Sequence, residues 1–90
     1  MNQLSQQVQI RNRRGLHARA SAKFVTLASG FSANITVAKD GTEVTGTSIM
    51  GLMMLGAAMG DNIVIIASGD GHEEALTQLV SLVEDKFGED

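Results

Sequence analysis

Hydrophobic positions along this chain follow two different periods in turn. Alternation of apolar and polar residues, typical of a strand with one buried face, occurs over 4–10 and over 31–37. Apolar residues three and four positions apart, typical of an amphipathic helix, occur over 16–31 and over 76–87. The β-branched run at 62–67 is apolar at every position but its first and predicts a central strand. Strands and helices are therefore interspersed along the chain.

A hairpin is predicted in the middle of the chain. Asp40 and Gly41 form a strong signal for a two-residue turn. Counting outward from this turn pairs Val37 with Val44, which places both side chains on the same face of the sheet. The return strand, 42–46, is short and polar, as suits the edge of a sheet.

Three helices complete the set of predicted elements, and cap residues mark the starts of two of them. The first helix is predicted over 18–28. Ser48 is predicted to cap a short helix that begins at Ile49. Asp70 is predicted to cap the last helix, where Glu73 would complete a capping box. The resulting order, βαββαβα, predicts an α+β fold in which a sheet and its helices form two layers.

Composition limits the functions that such a fold can have. Ninety residues form one domain, 1–90. The lack of Cys excludes disulfides and thiolate metal sites. A net charge of −3, with no Trp or Tyr, argues against nucleic-acid binding. The longest uncharged apolar stretch, 49–59, is shorter than the roughly 20 residues of a membrane-spanning helix. We therefore expect no membrane insertion, and the lack of a leader pattern predicts a cytoplasmic protein.

Basic residues are concentrated in the first quarter of the chain. Five of the seven lie between positions 11 and 23, whereas the acidic residues begin at position 40. This polarity favours an anionic ligand or an acidic protein partner. A solvated charged loop would give the same pattern, so the charge alone does not decide between the two. The five basic residues are Arg11, Arg13, Arg14, Arg19 and Lys23.

The candidate chemistry lies where the first strand gives way to the first helix. Gly15 can form the turn, His17 stands at the predicted helix start, and Arg19 follows. Unpaired N–H groups and the helix dipole at such a start favour an anion. Imidazole has an unperturbed pKa of about 6.5 and so provides a neutral nucleophile near pH 7. We predict that His17 accepts and passes on a phosphoryl group that Arg19 stabilises. The alternative is a histidine that only packs or caps.

Ser48 and the apolar residues after it form a second candidate site. A phosphate is tolerated at a helix N-terminus, so Ser48 is a candidate for regulatory phosphorylation. Ile49, Met50 and Met53 are expected to be partly exposed, and a Met-rich surface suits several partners; a fully buried run is the alternative. His72 is expected at the surface. Neither metal-ligand spacing nor a nucleotide-binding loop is present, so we expect no metal and no cofactor.

Taken together, these segments resemble the HPr family, the histidine-containing phosphocarriers of the bacterial phosphoenolpyruvate-dependent phosphotransferase system. The resemblance covers nearly the whole chain. It implies a two-layer open-faced sandwich, with an antiparallel four-stranded sheet of order 1-4-2-3 and three helices on one face. The motifs that carry it are Gly15-Leu16-His17-Ala18-Arg19, Lys23-Phe24-Val25, Ile35-Thr36-Val37, Gly46-Thr47-Ser48-Ile49-Met50 and Leu55-Gly56.

The resemblance also implies roles for individual residues. His17 would be phosphorylated on Nδ1 by enzyme I, Arg19 would contact the phosphoryl group, and Ser48 would be the target of an HPr kinase/phosphorylase. The phosphoryl group would pass to an enzyme IIA-type acceptor. The protein itself would be a monomeric carrier and not an enzyme. The implied partner-binding residues are Ala18, Ala20, Ile49, Met50 and Met53.

Two positions depart from the pattern of the family. Ala20 stands where the family usually has Pro after the arginine, which predicts a somewhat looser helix start. Gly51 stands where docking helices often carry a polar or basic residue. Such chains also serve as regulatory relays or adaptors that move no sugar, and the sequence does not choose between these functions. An alternative from another class is a ligand-binding regulatory domain of similar layout, for example one that binds an amino acid.

Overall fold

The computed structural model describes residues 3–89. Within this range, strands and helices follow the predicted order, and a short left-handed segment follows the last helix. The elements are β1 (Gln3–Gln9), α1 (Ala18–Ser29), β2 (Asn34–Lys39), β3 (Thr42–Thr45), α2 (Ile49–Met54), β4 (Asn62–Ser68), α3 (His72–Glu84) and the left-handed segment Lys86–Gly88.

The strands form an antiparallel sheet of order β1-β4-β2-β3. Strand β4 pairs with β1 on one side and with β2 on the other, which confirms that it is central. Strand β3 pairs with β2 alone among residues 3–89, so its polar side chains lie at the sheet edge. The predicted hairpin register is also confirmed, because Val37 lies opposite Val44 and Lys39 opposite Thr42.

One face of the sheet carries the helices and the core. Along β4, Ile63, Ile65 and Ala67 are buried, whereas Val64 and Ile66, which point to the other face, are only partly covered. Helix α3 packs against β1 and β4, and α1 packs against α2 and α3. The molecule is therefore an α+β sandwich with one covered face and one open face, as expected.

Helix α1 is held in place by a mixture of aromatic and small side chains. Phe24 is fully buried, and Leu27 lies at the margin of the core. Ala20 and Ser21 are also fully buried, so the start of the helix approaches its neighbours closely. No helix within residues 3–89 is both long and apolar enough to cross a membrane.

Strand β2 begins later than the alternation of residues 31–37 predicted. It starts at Asn34, because the chain first completes a turn after α1. The N–H of Gly30 donates to the carbonyl of Leu27, and the N–H of Phe31 donates to that of Ala28. These bonds continue the helical pattern for two residues and keep Phe31 out of the sheet.

The predicted cap of the last helix was also wrong. The N-cap of α3 is Gly71, which has a left-handed backbone, and no side chain caps the first turn. Asp70 therefore lies one residue outside the cap position, so its carboxylate does not complete a capping box with Glu73. The two acidic residues in the first turn, Glu73 and Glu74, still complement the positive end of the helix dipole.

Candidate functional site

A tight turn between β1 and α1 presents the candidate site. Gly15 has a φ of +65°, and a Cβ at this position would lie 2.3 Å from the carbonyl oxygen of Ala57. The next residue, Leu16, donates its N–H to that same carbonyl at 3.0 Å. The turn is therefore pressed against the segment that follows α2, and only a residue without a side chain fits at Gly15.

His17 is the N-cap residue of α1. Its backbone is extended, with φ of −76° and ψ of −179°, and its carbonyl accepts the N–H of Ser21 at 2.9 Å. Its side chain makes no capping hydrogen bond to the helix. The first-turn N–H groups therefore remain uncapped by a side chain, and with the helix dipole they favour a bound anion.

The imidazole of His17 turns toward the end of the chain. Its Nε2 lies 2.7 Å from Oε2 of Glu89. The other oxygen of this carboxylate accepts a hydrogen bond from Nδ2 of Asn12 at 3.1 Å, and Asn12 also donates to the carbonyl of Gly15 at 2.8 Å. Only 16% of the His17 side chain is exposed. The ring thus lies at the helix start, as predicted, with a carboxylate against one of its edges.

The ionisation of Glu89 decides which ring nitrogen carries the proton. Burial raises the pKa of the Glu89 carboxyl, but hydrogen bonds from Asn12 and His17 and the positive charges of His17 and Lys23 outweigh it. The pKa therefore lies below the ordinary value of 4.5. An ionised carboxylate only accepts hydrogen bonds, so Nε2 of His17 must be the donor. In an uncharged ring the lone pair is then on Nδ1.

Three arginines line a small cavity together with Glu89. A cavity of about 200 Å³ is lined by Glu89 together with Arg13, Arg14 and Arg19. Guanidinium groups carry forked N–H donors that match the oxygens of a phosphoryl group. Since three arginines and a single carboxylate line this cavity, its lining carries a net positive charge, which favours an anion. Arg19 therefore lines an electropositive cavity next to the carboxylate that contacts His17.

Ser48 caps α2 as predicted. Its Oγ accepts the N–H of Gly51 at 2.9 Å. A Cβ at Gly51 would lie 3.1 Å from this Oγ and 3.1 Å from the Cβ of Val44. Such contacts are tighter than is usual for a Cβ, so the close packing of α2 on β3 gives a steric reason for the glycine.

The apolar residues after Ser48 divide between core and surface. Leu52 and Leu55 are buried, so the alternative that the whole run is buried is wrong. We call the exposed side chains of α2 the methionine patch. Its members are Ile49, Met50, Met53 and Met54. Met54, which is 79% exposed, was not singled out from the sequence, because its position near the end of a two-turn helix gave no periodic signal.

Three further residues considered in the sequence analysis have clear positions. Ala20 is fully buried, so its assignment to a partner-binding surface was wrong, whereas Ala18 is exposed. His72 is partly exposed at the start of α3, where its Nδ1 donates to the carbonyl of Gly69 at 2.9 Å. Among residues 3–89, no cluster of His, Cys, Asp and Glu side chains is arranged to hold a metal ion.

Sequence reasoning missed Asn12 and Glu89. Glu89 lies 72 positions from His17 along the chain, and no local pattern links the two residues. Asn12 stood in a stretch interpreted only as a strand-breaking loop. Asn12 stands directly between Arg11 and Arg13 in the sequence, and only folding buries it fully.

Comparisons with known proteins agree with this fold. A family model described as the PTS HPr component phosphorylation site matches residues 4–85. Phosphocarrier protein HPr of Neisseria meningitidis serogroup A is 46% identical over 86 residues, 96% of this chain and 97% of that protein. The crystal structure of HPr-C-His from Thermoanaerobacter tengcongensis has a TM-score of 0.90 at 47% identity, covering 100% of this chain and 99% of that one. A structure of an HPr dimer from the same organism has a TM-score of 0.77 at 50% identity, covering 91% and 94%.

These likenesses extend over nearly the full length of both partners in each comparison. They exclude the alternative of an amino-acid-binding regulatory domain, because the family model, the relatives and the sheet order all agree. The chain belongs to the HPr family of phosphocarrier proteins of the phosphotransferase system.

Proposed function

We propose that this phosphocarrier takes up its phosphoryl group on Nδ1 of His17 and passes it on from there. The observation that carries the proposal is the 2.7 Å contact between Nε2 of His17 and the carboxylate of Glu89. Because the ionised carboxylate accepts a hydrogen bond from the N–H of Nε2, the lone pair of the uncharged ring is on Nδ1. A histidine that only capped the helix would direct its side chain to the first-turn N–H groups, and His17 does not.

The positive surroundings of His17 support the same role. Phosphoryl transfer depends mainly on positioning and on stabilisation of charge on the phosphoryl oxygens. The uncapped start of α1 supplies N–H donors, and Arg19 supplies a guanidinium group that lines the neighbouring cavity. We assign Arg19 to stabilise the transferred group, with Arg13 and Arg14 adding to the attractive field.

The chain offers a matched control for the central test, because it contains one other histidine. The wild-type protein, incubated with phosphoenolpyruvate and enzyme I, is expected to gain one acid-labile phosphate. His17→Ala should gain none, and His72→Ala should behave as wild type. Labelling is measured by intact-protein mass spectrometry at neutral and acidic pH. Acid-labile phosphate on His17→Ala would overturn the proposal.

We propose that the phosphoryl group is exchanged with protein partners that dock on the exposed apolar surface formed by α1 and α2. The donor is enzyme I and the acceptor is an enzyme IIA-type protein. Ala18 and the methionine patch offer the contact surface, since exposed Met side chains adapt to more than one partner. When the 15N-labelled protein is titrated with each partner, the backbone amide signals of α2 should shift more than those of β3.

We further propose that residues 1–90 act as one domain and as a monomer. A dimer is known for a relative, so the state of this chain needs its own measurement. Sedimentation velocity over a hundredfold range of concentration should give a single species of 9.5 kDa. A second species that grows with concentration would contradict the monomer.

Ser48 is proposed as a regulatory site for an HPr kinase/phosphorylase. Its Oγ lies at the start of α2, directly before the methionine patch, so a phosphate there adds charge at the docking surface. Ser48→Asp should slow phosphoryl exchange with enzyme I while circular dichroism stays unchanged. Ser32→Asp, in the exposed loop after α1, is the matched control. Equal rates for the two variants would contradict regulation through Ser48.

A further inference from the structure

The chain folds back on itself after α3. Lys86, Phe87 and Gly88 have φ values of 60°, 54° and 74°, which place all three in the left-handed region. Two of these residues are not glycine, and such backbone persists only where the surroundings hold it. The N–H of Glu89 then donates to the carbonyl of Lys86 at 2.8 Å. The turn brings the carboxylate of Glu89 to His17.

Contacts on both sides of the turn hold it against the site. The ring of Phe87 is buried in the core. Nζ of Lys23, from α1, donates to the carbonyl of Phe87 at 2.7 Å. Nδ2 of Asn12, from the loop before α1, donates to Oε1 of Glu89 at 3.1 Å. The position of Glu89 is therefore fixed from the core, from α1 and from the loop.

We propose that Glu89 is a positioning residue for phosphoryl transfer at His17, acting through its hydrogen bond to Nε2. The inference rests on the proposed function of His17 and adds to it a residue beyond the range 4–85 that the family model matches. Glu89 touches the imidazole and not the transferred group, because it binds the edge of the ring that carries Nε2.

Glu89 contributes to the reaction in two ways. Before transfer, it holds the plane of the ring and keeps the proton on Nε2, as carboxylates do for many functional histidines. During transfer, the lone pair of Nδ1 forms a bond to phosphorus, while the bond from phosphorus to the donor breaks and its electron pair leaves with the donor. Nε2 keeps its proton, and the positive charge that develops on the ring is stabilised by the adjacent carboxylate.

The charge of Glu89 does not oppose the incoming phosphoryl group, because it is offset by its surroundings. The groups that bond to this carboxylate, act on it through their charge or share its cavity are polar or cationic. They are His17, Asn12, Lys23, Arg13, Arg14 and Arg19. The carboxylate therefore acts on the ring, while the net field around the site stays positive.

The test compares Glu89→Ala, which removes the hydrogen-bond acceptor, with Glu89→Gln, which keeps an acceptor oxygen but no charge. The donor is enzyme I charged with phosphoenolpyruvate. We expect kcat for Glu89→Ala to fall about tenfold with little change in KM, as for other residues that orient a functional histidine. Glu89→Gln should recover part of the loss. Glu43→Ala, on the exposed edge strand, is the matched control and should match wild type.

A spectroscopic measurement separates positioning from a general loss of structure. In wild type, the proton on Nε2 of His17 should be protected by Glu89 and give a resolved signal in 1H–15N spectra of the ring. The signal should vanish by exchange with water in Glu89→Ala, remain in Glu89→Gln, and remain in Glu43→Ala. Backbone spectra of all three variants should keep the wild-type pattern outside the site.

The outcomes distinguish this inference from the proposed function. If Glu89→Ala accepts phosphate on His17 with the wild-type kcat, or if the Nε2 proton signal is the same with and without Glu89, the positioning role is wrong and the function of His17 stands. If no variant and not even wild type takes phosphate on His17, the proposed function itself is wrong.

Discussion

Helices α1 and α2 both begin from extended backbone, but they close their first turns in different ways. At the start of α2, Oγ of Ser48 accepts the N–H of Gly51 at 2.9 Å. At the start of α1, the side chain of His17 makes no such bond and contacts Glu89 instead. A side-chain cap uses one of the first N–H donors of a helix, whereas the first donors of α1 have no side-chain partner. The phosphoryl transfer proposed above is therefore assigned to the helix whose cap residue makes its side-chain contact elsewhere.

The two starts also differ in how far along the chain their contacts reach. The cap of α2 joins residues three positions apart, and the contact of His17 joins residues 72 positions apart. The turn before α1 depends on Ala57, which also comes from a distant part of the chain. The start of α1 should therefore be more sensitive than the start of α2 to changes in tertiary packing.

The largest expected effect is that of Gly15→Ala. The left-handed φ of +65° is unfavourable for Ala, and the new Cβ would lie 2.3 Å from the carbonyl oxygen of Ala57. The two costs together should lower the free energy of unfolding by about 3 kcal/mol. Chemical denaturation gives this value. Gly41→Ala is the control, because its φ is +84° but its Cβ meets open space. Equal losses for the two variants would show that the contact with Ala57 does not matter.

An intermediate effect is expected for Ser48→Ala. Loss of the side-chain acceptor leaves the N–H of Gly51 without its cap, which should cost about 1 kcal/mol of stability. Thr47→Ala, one residue earlier and exposed, should change stability by less than about 0.5 kcal/mol. Thermal unfolding of the three proteins measures both values. If Ser48→Ala were as stable as Thr47→Ala, α2 would not depend on its own cap.

The smallest expected effect is the pH dependence that Glu89 adds to stability. Its pKa in the folded protein lies below the ordinary value of 4.5, so its contribution is complete above that pH and is lost as the pH falls through the lowered pKa. Wild type should therefore be more stable than Glu89→Gln near pH 7, and the gap should narrow below about pH 4.5. Denaturant unfolding at a series of pH values measures the gap. A gap that stays constant down to pH 3 would contradict the ionic contact.

Glu43→Gln is the matched control for this comparison, since it removes a carboxylate from the exposed edge strand. The difference in stability between wild type and Glu43→Gln should not narrow in this way as the pH falls. If it narrowed by the same amount, the effect would come from net charge and not from the contact with His17.

Local patterns predicted those features whose causes are local. The hairpin at Asp40 and Gly41 was predicted with its register, because two-residue turns dictate which residues face each other. The cap at Ser48 was predicted from the residue itself. The prediction failed at Asp70 and at the start of β2, where a neighbouring turn shifted the element by one residue or more. Element boundaries depend on such turns more than on periodicity.

The sequence alone determined the order of elements, the hairpin and the position of His17 at a helix start, because each follows from side-chain periodicity or turn chemistry within a few residues. Tertiary structure alone decided that Ala20 is buried, that three arginines share a cavity, and that Glu89 meets Nε2 of His17. The physical reason is that burial and charge pairing depend on which distant segments meet, and a contact across 72 residues exists only once the sheet and helices have packed.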